Sequence, residues 1–201
     1  MKRIVLASAS PRRRALLSAL GIPFDVIPSK AVEQHKGSPE QMVLANARAK
    51  RDEVAYRLSG HAVVIAADTL VFLDSHVLSK PQTIEEAKDM LERLSGKTHT
   101  VMTGLSLTDT GSGRCAEGHE ATQVTFRTLD RKEIVAFVEA VCPLDRAGAY
   151  TVDGPGSLLV ERYEGCYQNV LGLPVVRLDR LLREIGVNLF EEMRPEHAAF
   201  L

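Results

Sequence analysis

The sequence is poor in cysteine and contains no arrangement of histidines that is typical of a metal or nucleophile site. Its three cysteines, Cys115, Cys142 and Cys166, are odd in number and widely spaced, and none belongs to a C-x-x-C pair. This usage argues against a disulfide framework and against a zinc site. The six histidines include no H-E-x-x-H motif or other ligand spacing, so a hydrolase that depends on histidine is not expected.

The sequence also lacks an excess of charge of either sign and any long apolar run. The 201 residues include 25 basic and 26 acidic side chains, which give a formal net charge of −1, so no overall field attracts DNA, RNA or anionic lipid. The longest apolar runs, such as residues 62–67, are far too short to cross a bilayer, and the first three residues lead into a short strand rather than a signal-peptide core. We therefore expect a cytoplasmic protein with neither nucleic acid nor a membrane as its partner.

Two common nucleotide-binding motifs are absent as well. The sequence contains no G-x-x-x-x-G-K-[ST] and no G-x-G-x-x-G after a strand. Neither a P-loop enzyme nor a dinucleotide-binding Rossmann enzyme is therefore expected.

What the sequence does contain is an unusual start to its first helix. An apolar strand over residues 4–6 leads to Ser10, a good N-cap, and to Pro11, which suits the first helical position. Three arginines at residues 12–14 then occupy the first turn, where the partial positive charge of the helix dipole favours acidic residues. This placement favours an anion site of the phosphate type. The alternative is that the long arginine side chains bend away into solvent.

Apolar periodicity and turn residues predict an α/β chain. The predicted strands cover residues 4–6, 22–27, 62–67, 70–78, 98–108, 121–127 and 158–161. Helices are predicted over residues 12–20, 38–58, 83–96, 130–143 and 172–185, with a structured loop over residues 144–156. We expect one α/β domain over residues 1–190, with two lobes around a cleft, and a peripheral tail over residues 191–201.

Four charged residues are candidates for chemistry. Asp68 follows the apolar strand of residues 62–67 and can bind Mg²⁺ or accept a proton from water; the alternative is that it only caps the following turn. Lys80 can reach into a cleft as a point charge for phosphate, or be an ordinary exposed lysine. Glu33 is a possible second carboxylate for a divalent cation, whereas Lys50 could be an ordinary solvated residue on its helix. Together they suggest a Mg²⁺-dependent site for a phosphorylated small molecule, with hydrolysis at phosphorus by metal-activated water.

The sequence resembles the Maf family of nucleoside triphosphate pyrophosphatases over nearly its whole length. The matching segments are Leu6-Ala7-Ser8-Ala9-Ser10-Pro11-Arg12-Arg13, Ala67-Asp68-Thr69, Lys80-Pro81, Leu94-Ser95-Gly96, Asp145-Arg146-Ala147-Gly148-Ala149-Tyr150 and Gly172-Leu173-Pro174. The resemblance implies an α/β fold of the ITPase-like (Maf/Ham1) kind, with a mixed central sheet flanked by helices. It also implies a homodimer that hydrolyses a nucleoside triphosphate to the monophosphate and pyrophosphate with a divalent metal, Mg²⁺ or Mn²⁺.

The resemblance also implies roles for individual residues. Asp68 would be the proton acceptor that activates water beside the metal, and Glu33 would be an additional acidic ligand of that metal. The residues that would hold the triphosphate are Ser8, Arg13, Lys50 and Lys80.

Three further positions bear on the choice of base. Members of the family that prefer dTTP and UTP have Arg at the position of Arg12, Thr at that of Thr69 and Gln at that of Asp153, so this sequence matches the first two and departs at the third. A glutamine can donate and accept hydrogen bonds towards a pyrimidine, whereas an ionised aspartate can only accept. We expect dTTP, UTP or modified pyrimidine nucleotides as substrates. The alternatives are 7-methyl-GTP or another purine nucleotide, and, in a different class, a nucleotide-binding regulator of cell division without catalysis.

Overall fold

A computed structural model describes residues 2–34, 36–74 and 76–194 of the chain. Its strands are β1 (Ile4–Leu6), β2 (Asp25–Val26), β3 (Val63–Leu73), β4 (His76–Leu78), β5 (Thr98–Asp109), β6 (Cys115–Phe126) and β7 (Val160–Glu164). Its α-helices are α1 (Pro11–Ala19), α2 (Pro39–Arg57), α3 (Ile84–Leu94), α4 (Arg131–Val141), α5 (Tyr167–Val170), α6 (Val175–Glu184) and α7 (Leu189–Glu192). Short 3₁₀ helices over Ala147–Ala149 and Gly154–Leu158 lie in the segment that the sequence predicts as a structured loop.

The strands form a mixed sheet in the order β2-β1-β3-β5-β6-β7, with β4 paired to β3. The pairs β1–β2 and β1–β3 are parallel, whereas β3–β4 and β6–β7 are antiparallel. The predicted mixed α/β architecture is therefore confirmed. No helix among the described residues is long and apolar enough to span a membrane.

Several strand predictions are wrong at their boundaries. The predicted strand of residues 70–78 divides between the end of β3 and β4, and β7 covers Val160–Glu164 rather than residues 158–161. In the predicted strand of residues 22–27 the strand covers only Asp25–Val26, although the nitrogen of Ile27 also donates to the oxygen of Leu6 in β1. Pro23, before the strand, has no N–H to donate to a ladder. The strand β6 begins at Cys115 rather than at residue 121, although its first residues lack the apolar alternation that identifies a strand. The strand β3 does not end at residue 67 but continues through Asp68 to Leu73.

The described residues divide into two compact units, and the chain passes from one to the other within β3, β5 and β6 and just before Gly172. The first unit comprises Met1–Asp68, Thr103–Glu120 and Gly172–Leu201, and the second comprises Thr69–Met102 and Ala121–Leu171. The single domain over residues 1–190 and the peripheral tail over residues 191–201 stay predictions, and residues 195–201 of that tail lie outside the described residues.

In the first unit, β1 and β3 are buried on both faces, as expected of parallel strands covered by helices. Because successive side chains of a strand point to opposite faces, Ile65 packs with residues of α1 and α6, whereas Val64 and Ala66 pack with Val54 of α2. Asp68 has the same parity as Val64 and Ala66. The strand therefore directs its carboxylate towards the face that α2 covers.

The helix α2 lies against β5 at a point where only glycine fits. A Cβ atom on Gly104 would lie 2.4 Å from the carbonyl oxygen of Val43 and 2.9 Å from the nitrogen of Leu44. Further along the same helix, Arg51 Nη1 donates to Glu117 of β6 at 3.0 Å. These two contacts fix where the polar side chains of α2 meet β3.

The second unit has its own core, formed by α3, α4 and the strands between them. A buried aromatic group lies within it: the rings of His99, Phe126 and Tyr150 meet edge to face, and His99 Nε2 shares a hydrogen bond of 2.7 Å with the hydroxyl of Tyr150. Burial lowers the pKa of His99 to about 4 and raises the pKa of Tyr150. Both side chains are therefore neutral at pH 7.

Candidate functional site

Asp68 is a buried carboxylate within a strand, and side chains of α2 occupy both of its oxygens. Asn46 Nδ2 donates to Oδ2 at 2.9 Å, and Lys50 Nζ donates to Oδ1 at 2.6 Å. Asp68 is only 3% exposed, and a buried carboxylate is costly unless it is paired and hydrogen-bonded. The alternative that Asp68 merely caps a turn is wrong, because β3 continues past it and its partners come from a helix.

Lys50 joins Asp68 to the second predicted carboxylate. Its ammonium group donates to Glu33 Oε1 at 2.7 Å as well as to Asp68. The lysine side chain is 13% exposed and that of Glu33 is 38% exposed. Glu33, Lys50 and Asp68 thus lie together, and Lys50 is not the solvated helix residue that the sequence left open.

Asn46 is not among the residues predicted from the sequence, and it completes this group. Besides its bond to Asp68, its Nδ2 donates to the backbone oxygen of Gln34 at 3.0 Å, and its Oδ1 accepts from the backbone nitrogen of Gln34 at 2.7 Å. The amide therefore holds the segment next to Glu33 against α2. One signal was available: Asn46 and Lys50 are four residues apart and share a helix face, and asparagine is unfavourable inside a helix without a specific partner.

The two carboxylates suit a divalent cation. One oxygen of each lies within 2.7 Å of the same ammonium nitrogen, and carboxylate oxygens are the ligands that Mg²⁺ and Mn²⁺ prefer. Among the described residues no group of three or more His, Cys, Asp or Glu side chains could hold a metal. Two carboxylates fit Mg²⁺ in particular, because this ion commonly takes one or two from the protein and completes its shell with water and substrate phosphates.

At the start of α1, Arg13 is surrounded by polar groups of the first unit. Ser10 caps the helix by accepting from the backbone nitrogen of Arg13, whose side chain turns back so that Nε donates to the oxygen of Gly172 at 2.8 Å and Nη1 to Ser8 Oγ at 3.2 Å. Burial lowers the pKa of the Arg13 guanidinium, and the carboxylate of Asp68 opposes this shift. The second of the three arginines is therefore half-buried and hydrogen-bonded within the first unit.

Burial separates Arg14 from the other two arginines, because Arg12 and Arg13 are both half-buried. Arg14 is exposed, which agrees with the solvated alternative. No acidic residue lies in the first turn of α1. The unfavourable charge placement seen in the sequence is therefore present in the helix.

Three predicted site residues belong to the second unit. Thr69 follows Asp68 in β3 and is half-buried, and Lys80 is exposed. Asp153 is exposed and accepts a hydrogen bond from the hydroxyl of Thr151. The residue before Lys80 is hydrogen-bonded to the segment of residues 145–150, because the nitrogen of Gly148 donates to the oxygen of Ser79 at 3.2 Å. The functional roles of Thr69, Lys80 and Asp153 stay predictions.

Known proteins resemble this chain along nearly all of its length. A dTTP/UTP pyrophosphatase of Methanococcoides burtonii is 40% identical over 195 residues, which cover 96% of this chain and 100% of that protein. A dTTP/UTP pyrophosphatase of Pelotomaculum thermopropionicum is 44% identical over 191 residues, which cover 94% of this chain and 100% of that protein.

Solved structures give a weaker likeness. A nucleoside-triphosphatase, dITP/XTP pyrophosphatase, from Mycobacterium abscessus has a TM-score of 0.42 at 16% identity and covers 63% of this chain and 75% of that one. The Ham1 protein of Staphylococcus aureus has a TM-score of 0.45 at 16% identity and covers 62% of this chain and 72% of that one.

The family described as "Maf-like protein" matches residues 3–185, and the chain belongs to this family.

Proposed function

We propose that this protein hydrolyses nucleoside triphosphates to the monophosphate and pyrophosphate, with dTTP and UTP as its leading substrates. The observation that carries the proposal is the buried carboxylate of Asp68, held by Asn46 and Lys50 beside Glu33. Support for the substrates comes from the relatives at 40% and 44% identity that are named dTTP/UTP pyrophosphatases.

Asp68 is suited to accept a proton from water. Each carboxylate oxygen has about two acceptor positions, and the hydrogen bonds from Asn46 and Lys50 use one on each oxygen. A position on either oxygen therefore remains for a water proton. The water oxygen then adds to the α phosphorus. The bond between the α phosphorus and the oxygen that bridges the α and β phosphates breaks, and pyrophosphate leaves with that oxygen.

Other residues of the first unit would hold the charged substrate. The carboxylates of Glu33 and Asp68 would bind a divalent cation, which neutralises phosphate charge and makes bound water more acidic. Ser8, Arg13 and Lys50 would bind the triphosphate, since guanidinium and ammonium groups are strong donors to phosphate oxygens.

The base preference depends on residues with predicted roles. Arg12 and Thr69 match the pattern of family members that prefer dTTP and UTP, and Asp153 departs from it. An ionised Asp153 accepts hydrogen bonds and does not donate them, so it can pair with a base N–H but not with a base carbonyl. We include a cytoplasmic location and a homodimer in the proposal; sedimentation of the purified protein tests the second.

Pyrophosphate release from a panel of nucleoside triphosphates, with Mg²⁺ or Mn²⁺ added or omitted, tests the function. Asp68→Asn should lower the turnover by about 10²–10⁴-fold, the range typical of a lost general base. Asp52→Asn is the matched control, because the side chain of Asp52 is 60% exposed and its oxygen contacts Arg51; it should keep wild-type turnover.

Two results would contradict the proposal. If the folded Asp68→Asn variant released pyrophosphate as fast as the wild type, Asp68 would not be the proton acceptor. If the wild type released none from any triphosphate with either metal, the protein would not be a nucleoside triphosphate pyrophosphatase.

A further inference from the structure

Lys50 occupies an unexpected place for a residue that binds phosphate. Its Nζ lies 2.7 Å from Glu33 Oε1 and 2.6 Å from Asp68 Oδ1. A phosphate-binding lysine needs only to reach the substrate, whereas this ammonium group bridges the two carboxylates that would bind the cation. The side chain of Lys50 is 13% exposed and that of Asp68 is 4% exposed, so their contact is sheltered from solvent.

We propose that Lys50 is a positioning residue that acts as an internal counter-ion before the substrate arrives. Its ammonium group contacts both Glu33 and Asp68, and a divalent cation that bound both carboxylates would have to displace it. This inference rests on the proposed function and adds to it the expectation that the cation binds more tightly once the nucleotide is present.

The physical basis is the cost of two neighbouring carboxylates. Without a cation between them, Glu33 and Asp68 repel each other, and the burial of Asp68 makes that repulsion stronger than it would be in water. Lys50 removes the repulsion in the free protein. Metal binding then has to compete with an ammonium group at hydrogen-bond distance, so the free protein should bind the metal weakly.

The nucleotide can shift this competition because the ammonium group of Lys50 can leave Asp68 while the carboxylate of Asp68 stays in place. A lysine ammonium sits on a flexible four-carbon stem, so it can turn from the carboxylates to a phosphate. Asp68 stays in place during that exchange, because Asn46 holds its other oxygen and is itself fixed by two hydrogen bonds to Gln34. The phosphate oxygens thus accept hydrogen bonds from Lys50 when the metal replaces its ammonium group beside the carboxylates.

Binding of Mn²⁺ to the nucleotide-free protein, followed by electron paramagnetic resonance, tests this role without turnover. Lys50→Met should bind Mn²⁺ at least about tenfold tighter than the wild type, within the usual range for coupled sites. Lys50→Arg keeps the charge and should bind Mn²⁺ as weakly as the wild type. Arg48→Met is the matched control for lost charge, since Arg48 lies on the same helix but bonds to Glu117; it should change Mn²⁺ affinity by less than about twofold.

Thermal melting gives a second readout that does not depend on catalysis. Lys50→Met should melt at a lower temperature than the wild type in metal-free buffer. Mn²⁺ should raise its melting temperature more than that of the wild type, because at the same free concentration a tighter ligand stabilises the folded protein more. Equal or weaker Mn²⁺ binding by Lys50→Met, or the same gain in Arg48→Met, would overturn the role of Lys50. Pyrophosphate release by the wild type tests the proposed function separately, so either idea can fail alone.

Discussion

Replacing Gly104 by alanine should disturb the site from the side of β5 that faces α2. The added Cβ would lie 2.4 Å from the oxygen and 2.5 Å from the carbon of the Val43 carbonyl, whereas ordinary contacts begin at 3.4 Å. Backbone atoms cannot turn away as a side chain can, so α2 must move by about 1 Å to restore normal contact. Asn46 and Lys50, on the same helix, would move with it away from Asp68.

Two magnitudes follow from this displacement. Overpacking of this kind typically costs about 1–3 kcal/mol, so urea denaturation should give a free energy of unfolding lower by about 2 kcal/mol. A misplacement of about 1 Å in a catalytic group can cost about 10²-fold in rate. We therefore expect pyrophosphate release to fall by about that factor in protein that is still folded.

The same substitution at another strand glycine of the first unit provides the control. A Cβ on Gly118 of β6 would meet the guanidinium end of Arg177 at 2.7 Å, which is a flexible side chain rather than backbone. Gly118→Ala should therefore retain stability within about 1 kcal/mol and keep its turnover. Wild-type stability and turnover in Gly104→Ala would refute the claim that this contact positions α2.

Three further changes test separate parts of the structure. Burial lowers the pKa of His99 to about 4, so between about pH 6.5 and pH 4 the unfolded chain binds a proton at this residue that the folded chain does not. The free energy of unfolding should therefore fall by about 3 kcal/mol as the pH drops through this range. His99→Gln should lose this part of the pH dependence of urea unfolding, and an unchanged pH dependence would contradict the reasoning. Asn46→Asp keeps the shape of the side chain but replaces the donor to Asp68 by an acceptor, so turnover should fall about tenfold or more, and wild-type turnover would remove Asn46 from the site. Asp153→Gln should raise the ratio of dTTP and UTP hydrolysis to that of purine triphosphates, whereas an unchanged ratio would show that Asp153 does not contact the base.

The parts of the fold that the sequence predicted well depend on local chemistry. Ser38 opens α2 with a capping box to Gln41, and Asp130 opens α4 with one to Glu133. Both start sites are encoded within four residues, so the type of residue is enough to place them. The apolar run of residues 62–67 identified a buried strand for the same reason.

The parts that the sequence did not predict depend on residues far apart in the chain. The charge of Asp68 indicated the end of a strand, because a lone carboxylate does not belong in a buried sheet. Its partners Asn46 and Lys50 are 22 and 18 residues away, and only the packing of α2 on β3 brings them to it. The prediction that the strand ends before Asp68 is therefore wrong, and the role of Asp68 as proton acceptor stays a prediction.

The site consequently depends on residues that take no part in chemistry. Gly104 lets α2 approach the sheet, and Asn46 ties the segment of Gln34 to that helix and orients Asp68. Neither residue carries a charge or an acid-base group, so a search for reactive side chains passes over both. Because helix α2 carries both Asn46 and Lys50, a change that shifts the helix alters both oxygens of Asp68 at once. The effects of Gly104→Ala and Asn46→Asp on turnover should therefore combine less than additively, as expected for residues that act through one shared group.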